Sequence, residues 1–248
     1  MTTKQRVLVF GGSDGIGEAI ARMLATDGAD VFITSRDLQK AQGAAREIGG
    51  NATGLRVDAF EPATIDDAVS EATAGGHLTG LAYCIGSIDL KPLSRTTADD
   101  FARSYALNVI GAAMATKAAS PSLKASGGGS VVLFSTVAAR QGFVNHSIIA
   151  AAKSGVEGLT VSLAAELAPN VRVNAIAPSL TDTPIAAPLL SSETVAKSIA
   201  QQHPLQRLGT PPDHAAMACL LLSPASSWIT GQVVGVDGGR GSLRTGRS

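Results

Sequence analysis

Short runs of β-branched and other apolar residues alternate along the chain with longer, alanine-rich segments in which apolar positions recur at helical spacing. Short apolar runs are typical of strands buried on both faces of a sheet, and the longer periodic segments are typical of helices packed against it. The alternation therefore predicts repeated strand–helix–strand units and a parallel sheet. Strands are predicted at residues 6–10, 30–34, 53–57, 80–85, 130–134, 171–176 and 233–236. Helices are predicted between them, at residues 16–26, 38–48, 65–73, 98–119, 144–167 and 212–222.

One segment, residues 179–208, departs from this rhythm. It carries three prolines, many small residues and only a weak helical pattern, over residues 193–202. A long insertion between sheet elements is usually a lid or a binding loop, so this segment is predicted to contact substrate. No stretch resembles an interdomain linker and no short repeat is present. Residues 1–248 are therefore predicted to form one doubly wound α/β domain, with a sheet of about seven strands and helices on both faces.

Composition and charge narrow the possible function classes. Apolar residues make up 45% of the chain and charged residues 16%, a globular rather than a disordered composition. The 20 basic residues are balanced by 20 acidic ones, so nucleic acid is not an expected partner. Only a tail at residues 240–248 is locally basic, and it is predicted to be a flexible, solvated end.

Metal, membrane and export functions are not indicated either. Cys84 and Cys219 lie in apolar stretches without C-x-x-C spacing, so neither a metal site nor a disulfide is predicted. The first residues lack a tripartite signal pattern, and no uninterrupted apolar run approaches the roughly 20 residues of a membrane-spanning helix. We therefore expect a cytoplasmic protein.

A glycine-rich turn follows the first predicted strand and precedes a predicted helix. Its sequence is Gly11-Gly12-Ser13-Asp14-Gly15-Ile16-Gly17. Glycine in such a turn permits a sharp reversal, a close approach of backbone N–H groups to a diphosphate and close packing of helix on strand. The strand–turn–helix context favours dinucleotide binding over a purely structural turn. The predicted diphosphate contacts are Gly11, Ser13, Asp14, Gly15, Ile16 and Gly17.

The spacing of this turn resembles the T-G-x-x-x-G-x-G fingerprint of the short-chain dehydrogenase/reductase family. Further segments resemble the same family: Asn108 its helix asparagine, residues 174–179 its N-x-x-x-P-G segment, and residues 229–239 its C-terminal signature. The resemblance covers roughly residues 6–239 and implies a Rossmann-like fold and a nicotinamide-dependent oxidoreductase. The departures are Phe10 for a threonine, Ser179 for a glycine, and Tyr83-Cys84-Ile85-Gly86 in place of N-N-A-G.

The end of the second strand bears on which dinucleotide is bound. It carries Ser35 and Arg36, and no acid stands where one would accept hydrogen bonds from the adenosine ribose. A hydroxyl and a guanidinium suit a 2′-phosphate, so NADP(H) is predicted in preference to NAD(H). The resemblance assigns further cofactor contacts to Asp58, Ala59, Gly86, Lys153, Pro178 and Thr183. For Asp58, a role as a strand-end cap is the alternative.

The resemblance also implies a catalytic set from which one member is missing. In most of the family a serine, a tyrosine and a lysine act with the helix asparagine, and the tyrosine precedes the lysine by four residues. Four residues before Lys153 stands Ile149, which can neither donate nor accept a proton. Thr136 falls at the serine position with Ser135 beside it, and either hydroxyl can orient a substrate oxygen.

His146 is a candidate replacement for the missing acid. It precedes Lys153 by seven residues, so on one helix His146, Ile149 and Lys153 would share a face. Enoyl-thioester reductases of the same superfamily place their tyrosine at that spacing. Imidazole exchanges protons near neutral pH. A structural role at the helix start is the alternative for His146, and Tyr83 or a water molecule are alternative proton donors.

The leading hypothesis is an NADP(H)-dependent oxidoreductase that transfers hydride between the nicotinamide and a small, apolar carbonyl or enoyl substrate. Asn108, Ser135 or Thr136, His146 and Lys153 are its candidate catalytic residues. The alternative is a dinucleotide-binding protein with little or no turnover, acting as a sensor or partner subunit. A non-redox lyase or epimerase is a third possibility, because fold does not fix function. The resemblance further implies a homo-oligomer, a tetramer or a dimer.

Overall fold

The computed structural model describes residues 4–245 and contains one seven-stranded parallel sheet. Along the sheet the strands lie in the order β3-β2-β1-β4-β5-β6-β7. This architecture confirms the predicted doubly wound α/β fold. The strands are β1 Arg6–Phe10, β2 Asp30–Ser35, β3 Asn51–Arg56, β4 Gly80–Tyr83, β5 Gly129–Phe134, β6 Val171–Pro178 and β7 Val233–Val236.

Helices cover both faces of the sheet. They are α1 Gly15–Thr26, α2 Leu38–Ile48, α3 Pro62–Thr73, α4 Ala98–Tyr105, α5 Gly111–Ala125, α6 Ser147–Leu167, α7 Glu193–Gln201 and α8 Pro211–Leu222. One core contains buried residues of α3, α5 and α6, and the other contains buried residues of α1, α2 and α8. Alternate residues of β1 serve the two cores: Leu8 and Phe10 lie in the first, and Val7 and Val9 lie in the second.

The strand order reverses direction between β1 and β4. The chain runs outward from β1 through β2 to β3, and then returns to place β4 on the other side of β1. The helices that follow β1 and β4 therefore lie on opposite faces, which opens a crevice at the carboxyl ends of these strands. Ligands of open α/β sheets bind at such a switch point.

Three of the predicted helices differ from the observed ones, and the first is α3, which begins at Pro62 rather than at residue 65. The helix predicted at 98–119 consists of α4, a π-helical turn at Ala106–Ile110 and α5, which continues through Pro121 to Ala125. The helix predicted at 144–167 begins only at Ser147, because Asn145 has a left-handed backbone (φ 68°) that a helix does not admit. This later start makes His146 the N-cap residue of α6 rather than a residue within the helix.

The predicted substrate loop and the predicted C-terminal tail both contain regular structure or specific hydrogen bonds. Residues 179–208 contain a 3₁₀ turn at Pro184–Leu189 and α7. The start of the C-terminal tail is held in place, since the Arg240 guanidinium donates to the Gln202 carbonyl (2.8 Å) and the Gln141 amide donates to the Arg240 carbonyl (3.0 Å). The last part of the predicted tail, residues 246–248, lies outside the described residues.

One helix, α6, is long and apolar enough to match a membrane-spanning segment by length and composition. Its residues Val156, Ala164 and Leu167 are buried in the core next to the sheet. Core helices of this kind commonly meet the same criterion, so the match is weak evidence for a membrane segment.

Candidate functional site

A cavity of about 770 Å³ lies at the carboxyl ends of β1, β2 and β4. Most of the predicted cofactor residues line it: Gly11, Ser13, Asp14, Gly15, Ile16, Gly17, Ser35, Arg36, Asp58, Ala59, Gly86 and Thr183. These residues come from five separate segments of the sequence, so only the fold brings them together. The other two predicted cofactor residues, Pro178 and Lys153, do not line the cavity.

The glycine turn leaves room for a ligand at one end of the cavity. Gly11 and Gly15 have left-handed backbones, with φ 72° and 55°, which favour glycine. At Gly17 an added Cβ would lie 2.2 Å from the Gly11 carbonyl oxygen, a contact that no side chain can make. The turn therefore packs directly on the start of α1, and most of its residues line the cavity. This arrangement fits a diphosphate.

The turn is fixed to the neighbouring strand by Thr34, a residue that the sequence did not single out. The Gly11 N–H donates to Thr34 Oγ1 over 3.1 Å, and Thr34 is fully buried at the end of β2. A buried threonine at a strand end is common, and only its place beside the turn reveals its role.

Two basic and two acidic side chains line this end of the cavity: Arg36, Lys40, Asp14 and Asp58. Asp14 is paired with Lys40, a second residue absent from the sequence prediction. Arg36 is exposed, lines the cavity, and forms no ion pair with any residue between 4 and 245. The acidic residue that follows it, Asp37, caps α2 by accepting from the Gln39 and Lys40 N–H groups. Arg36 is therefore available to a ligand anion, while Asp37 is engaged with the helix.

Asp58 has features of both of its predicted roles, a cofactor contact and a strand-end cap. Its carboxylate accepts from the Phe60 N–H over 3.0 Å, and its own N–H donates to Thr64 Oγ1, as in a strand-end cap. It also lines the cavity next to Ala59. Carboxylates have room for several hydrogen bonds, so the cap leaves capacity for an adenine amino group.

At the other end of the cavity, Asn108 and Lys153 converge behind Gly86. A Cβ built on Gly86 would lie 3.0 Å from Asn108 Oδ1 and 3.2 Å from Lys153 Nζ, so both polar atoms point at the same small space. Lys153 is buried and donates one hydrogen bond, to the Phe134 carbonyl (2.8 Å). Burial lowers the pKa of Lys153 to about 8.

Asn108 lies in the π-helical turn, a distortion that is frequent at functional sites. Its Nδ2 donates to the Ser104 carbonyl over 2.9 Å. Its Oδ1 is buried and has no hydrogen-bond partner among residues 4–245. A buried acceptor without a partner is costly to stability, and this one is aimed at the space beside Gly86, which suits a ligand or water site.

The position of the missing tyrosine is filled by an apolar side chain. Ile149 is only 5% exposed, and the neighbouring Ile148, rather than Ile149, lines the cavity. Tyr83 does not replace the lost hydroxyl, since its OH donates to the Leu107 carbonyl (2.8 Å) inside the core. Burial raises the pKa of Tyr83, which further suppresses proton release.

The two hydroxyls predicted to orient substrate differ in their surroundings. Ser135 is buried and donates to Glu157 Oε1 over 2.9 Å. Thr136 is half-buried, accepts from the Ala138 N–H (3.3 Å) and makes a long contact of 3.4 Å to the Pro178 carbonyl. Thr136 is thus the freer donor of the two, although neither lines the cavity.

His146 lies at the N-cap position of α6, outside the cavity lining. Its Nδ1 is 2.7 Å from the Val144 carbonyl oxygen, and its ring packs at 5.3 Å from that of Phe143. With Nδ1 bonded in this way, Nε2 is the nitrogen left for another partner. The role of His146 as a proton donor stays a prediction.

Ser87 and Asp89 line the cavity and were missed by the sequence analysis. They follow β4 directly, at the switch point of the sheet. Polar residues immediately after a central strand are the signal that points to them. Lys91, Asp100 and Arg103 extend the polar lining, and Ile85, Leu90 and Ile185 supply apolar surface.

The fold and this cavity define a doubly wound α/β protein built to hold a dinucleotide against a buried lysine–asparagine pair. The family model described as Enoyl-(Acyl carrier protein) reductase matches residues 11–240. The chain belongs to the short-chain dehydrogenase/reductase family, whose members are nicotinamide-dependent oxidoreductases.

Individual relatives agree over nearly the whole chain. A tropinone reductase homologue of Arabidopsis thaliana is 35% identical over 238 residues, which cover 94% of this chain and 91% of that protein. A short-chain type dehydrogenase/reductase structure from Mycobacterium ulcerans has a TM-score of 0.91 at 35% identity, covering 98% of this chain and 92% of that one. A ketoreductase of actinorhodin polyketide synthesis, solved with NADPH, has a TM-score of 0.92 at 27% identity and covers 98% and 99% of the two chains.

Proposed function

We propose that the protein transfers hydride between NADP(H) and a small carbonyl or enoyl substrate, and that its proton donor is not the family's tyrosine. One observation carries the proposal: a single cavity connects the glycine turn and Arg36 to Gly86, behind which Asn108 and Lys153 meet. When bound there, the dinucleotide supplies or accepts the hydride. The protein's own residues hold it, orient the substrate and exchange the proton.

The preference for NADP(H) is supported by charge at the end of β2. Arg36 is unpaired within residues 4–245, and Lys40 is close enough to Asp14 to neutralise it. Asp37 caps α2 and, unlike Arg36, does not line the cavity. The ketoreductase structure with NADPH is consistent with the same cofactor here.

The substrate class is supported by the apolar part of the cavity lining. Ile85, Ile88, Leu90, Ile148 and Ile185 present apolar surface to the cavity. Apolar pockets of this kind bind substrates mainly by burial and orient them with a few polar groups. A modest, largely apolar ketone, aldehyde or conjugated enone fits this description.

A screen of nicotinamide absorbance tests the proposal. Purified protein is mixed with NADPH or NADH and with a panel of ketones, aldehydes, enones and enoyl thioesters. We expect oxidation of NADPH with at least one class and slower oxidation of NADH. Binding of NADPH without oxidation across the panel, and without reduction of NADP⁺ by the matching alcohols, would contradict it.

A second candidate function, a dinucleotide-binding protein without turnover, is favoured by Ile149. The buried apolar side chain removes the family's acid, while the glycine turn and Lys153 are intact. The fluorescence of NADPH distinguishes the two functions. A binding protein without turnover enhances this fluorescence, and no added substrate then makes the signal decay.

We further propose that the protein is a cytoplasmic homo-oligomer. Tyr105 and Ile110, at the ends of α4 and the π turn, and Val161 on α6 are each about half exposed, and Trp228 near the C-terminus is 98% exposed. Large apolar side chains at these places suit contacts between copies of the chain. Light scattering after size-exclusion chromatography would give a dimer or tetramer mass, and a monomer mass would contradict the proposal.

A further inference from the structure

We propose that Ser87 and Asp89 replace the missing tyrosine, with the Ser87 hydroxyl exchanging the substrate proton and Asp89 exchanging it with Ser87. The inference rests on the proposed function and commits it to a carbonyl–alcohol substrate pair. Ser87 touches the substrate in this scheme, while Asp89 acts through Ser87.

The geometry of the loop after β4 supports this assignment. Ser87 Oγ donates to Asp89 Oδ2, and both residues are half-buried in the cavity lining. Asn108 Nδ2 lies 3.4 Å from Ser87 Oγ on the donor side. The hydroxyl is therefore held between an amide that donates to it and a carboxylate that accepts from it. Its remaining lone pair can accept a proton from a substrate hydroxyl.

The serine also lies at the right end of the cavity. Gly86, its neighbour, is the residue against which Asn108 Oδ1 and Lys153 Nζ converge. A substrate oxygen placed beside Gly86 is therefore within reach of Ser87 and of the positive charge on Lys153.

Other candidate groups near Lys153 are already engaged. Glu157 accepts from Ser135, is ion-paired with Arg140 over 2.8 Å and does not line the cavity. Tyr83 donates into the core. Asp89 pairs with no basic side chain in the described part of the chain, and Lys91, two residues later, pairs instead with Asp100 over 2.6 Å. Among the carboxylates near Gly86 and Lys153, Asp89 is thus the one that no basic side chain of residues 4–245 engages.

The proposed step balances in both directions. In alcohol oxidation, the carbinol carbon loses hydride to the nicotinamide, which is reduced, and the C–O bond becomes C=O. The carbinol O–H bond breaks as its proton moves to Ser87 Oγ, while the original Ser87 proton moves to Asp89 Oδ2 and later to solvent. In carbonyl reduction the carbon gains the hydride, and the proton moves from Asp89 through Ser87 to the oxygen.

Four variants separate a proton-transfer role from a structural one. Asp89→Asn keeps an oxygen that accepts from Ser87 but removes the basic carboxylate, and Ser87→Ala removes the exchanging hydroxyl. We expect each to lower kcat by about 10²-fold and to leave NADPH affinity within about twofold. Asp89→Glu and Ser87→Thr restore the lost groups and should recover most of the rate. Asp99→Asn, an exposed carboxylate at the start of α4, is the matched control and should leave the rate unchanged.

Chemical rescue distinguishes the two residues. Formate, a small carboxylate, should restore part of the rate to Asp89→Ala because it can take the place of the lost acid–base group. The same formate should not restore Ser87→Ala, because the link to the substrate oxygen is lost. A residue with only a structural role gives no formate dependence.

A measurement without cofactor or turnover completes the test. The infrared carboxylate band of Asp89 is assigned by its loss in Asp89→Asn, and we expect Ser87→Ala to shift it because the hydrogen bond to Oδ2 is removed. No shift would overturn the proposed pair.

Wild-type turnover of a carbonyl substrate with unchanged rates in Asp89→Asn and Ser87→Ala would overturn the pair but leave the proposed function standing. Absence of wild-type turnover, or turnover of enoyl substrates alone, would overturn both the pair and the carbonyl assignment.

Discussion

The two ends of the cavity are built in different ways. At the diphosphate end, the glycine turn is fixed by backbone geometry: a left-handed φ at Gly11 and Gly15, and a 2.2 Å limit at Gly17 that excludes any side chain. At the chemical end, the functional atoms are side-chain tips, Asn108 Oδ1 and Lys153 Nζ, delivered by two different helices to the space beside Gly86.

This difference explains why side-chain substitutions can be tolerated at the chemical end of the cavity, whereas glycine substitutions are not tolerated at the diphosphate end. The glycine turn depends on its backbone geometry, so its glycines cannot be replaced without moving the chain. A proton can be exchanged by any suitably placed side chain, so the loss of a tyrosine at position 149 is compatible with an intact cofactor site. Variants that change the backbone of the turn are therefore expected to have larger effects than variants that remove one side chain at either end.

The largest effect is expected from Gly17→Ala. The added methyl would meet the Gly11 carbonyl oxygen at 2.2 Å, so the turn must shift away from α1. We expect NADPH affinity to fall by at least about 10²-fold, the equivalent of roughly 3 kcal/mol, as measured by calorimetry. Gly43→Ala in α2 is the matched control, because an added Cβ there meets only the end of Arg46 at 3.9 Å. It should bind NADPH normally, and equal affinity in the two variants would show that the turn is not the binding site.

Lys153→Met tests the chemical end. It removes the charge beside Gly86, and we expect kcat to fall by about 10²-fold while the fold is retained. A drop of less than twofold would exclude Lys153 from the reaction.

The same variant has a pH signature in stability. Burial lowers the pKa of Lys153 from 10.5 to about 8, so between these pH values the unfolded chain binds more protons than the folded one. Stability of the wild type should therefore rise from about pH 8 to pH 10.5 relative to Lys153→Met, as followed by denaturant unfolding. Lys117→Met, at an exposed site on α5, should show no such difference. A wild type that loses stability relative to Lys153→Met over this range would contradict the lowered pKa.

A smaller effect is expected from Arg36→Ala. Loss of one exposed guanidinium should weaken NADPH binding by about tenfold and leave NADH binding nearly unchanged, because only NADPH carries the 2′-phosphate. The ratio of the two dissociation constants is the measurement. Arg46→Ala, which removes an exposed arginine of α2 outside the cavity lining, should leave the ratio unchanged. An unchanged ratio in Arg36→Ala would remove the basis for the NADP(H) preference.

The smallest effect is expected from His146→Phe. Phenylalanine keeps the aromatic contact with Phe143 and removes the ring nitrogens. If Ser87 and Asp89 exchange the proton, kcat should stay within about twofold of the wild type. A loss of about 10²-fold or more would instead make His146 the proton donor.

The parts of the molecule that follow local rules could be predicted from sequence. The glycine turn, the alternation of strands and helices, and the position of Ile149 relative to Lys153 all depend on short-range pattern. The start of α6 could not be predicted, because the left-handed Asn145 that delays it to Ser147 leaves no clear trace in the sequence. That three-residue difference places His146 at the N-cap of α6 instead of within the helix.

The roles of Ser87 and Asp89 were hidden for a related reason. They lie in a loop whose path is set by the switch between β1 and β4 and by Asn108 in a π-helical turn, and both depend on packing between distant segments. Thr34 and Lys40 were missed because their partners, Gly11 and Asp14, lie more than twenty residues away in sequence.

The central claim is that the turn between β1 and α1 binds a nicotinamide dinucleotide. Isothermal titration of the wild-type protein with NADPH, NADP⁺, NADH and NAD⁺ tests it most directly. The account predicts saturable binding of one nucleotide per chain, tightest for the phosphorylated pair. Absence of binding heat with all four nucleotides, at several temperatures, would contradict it.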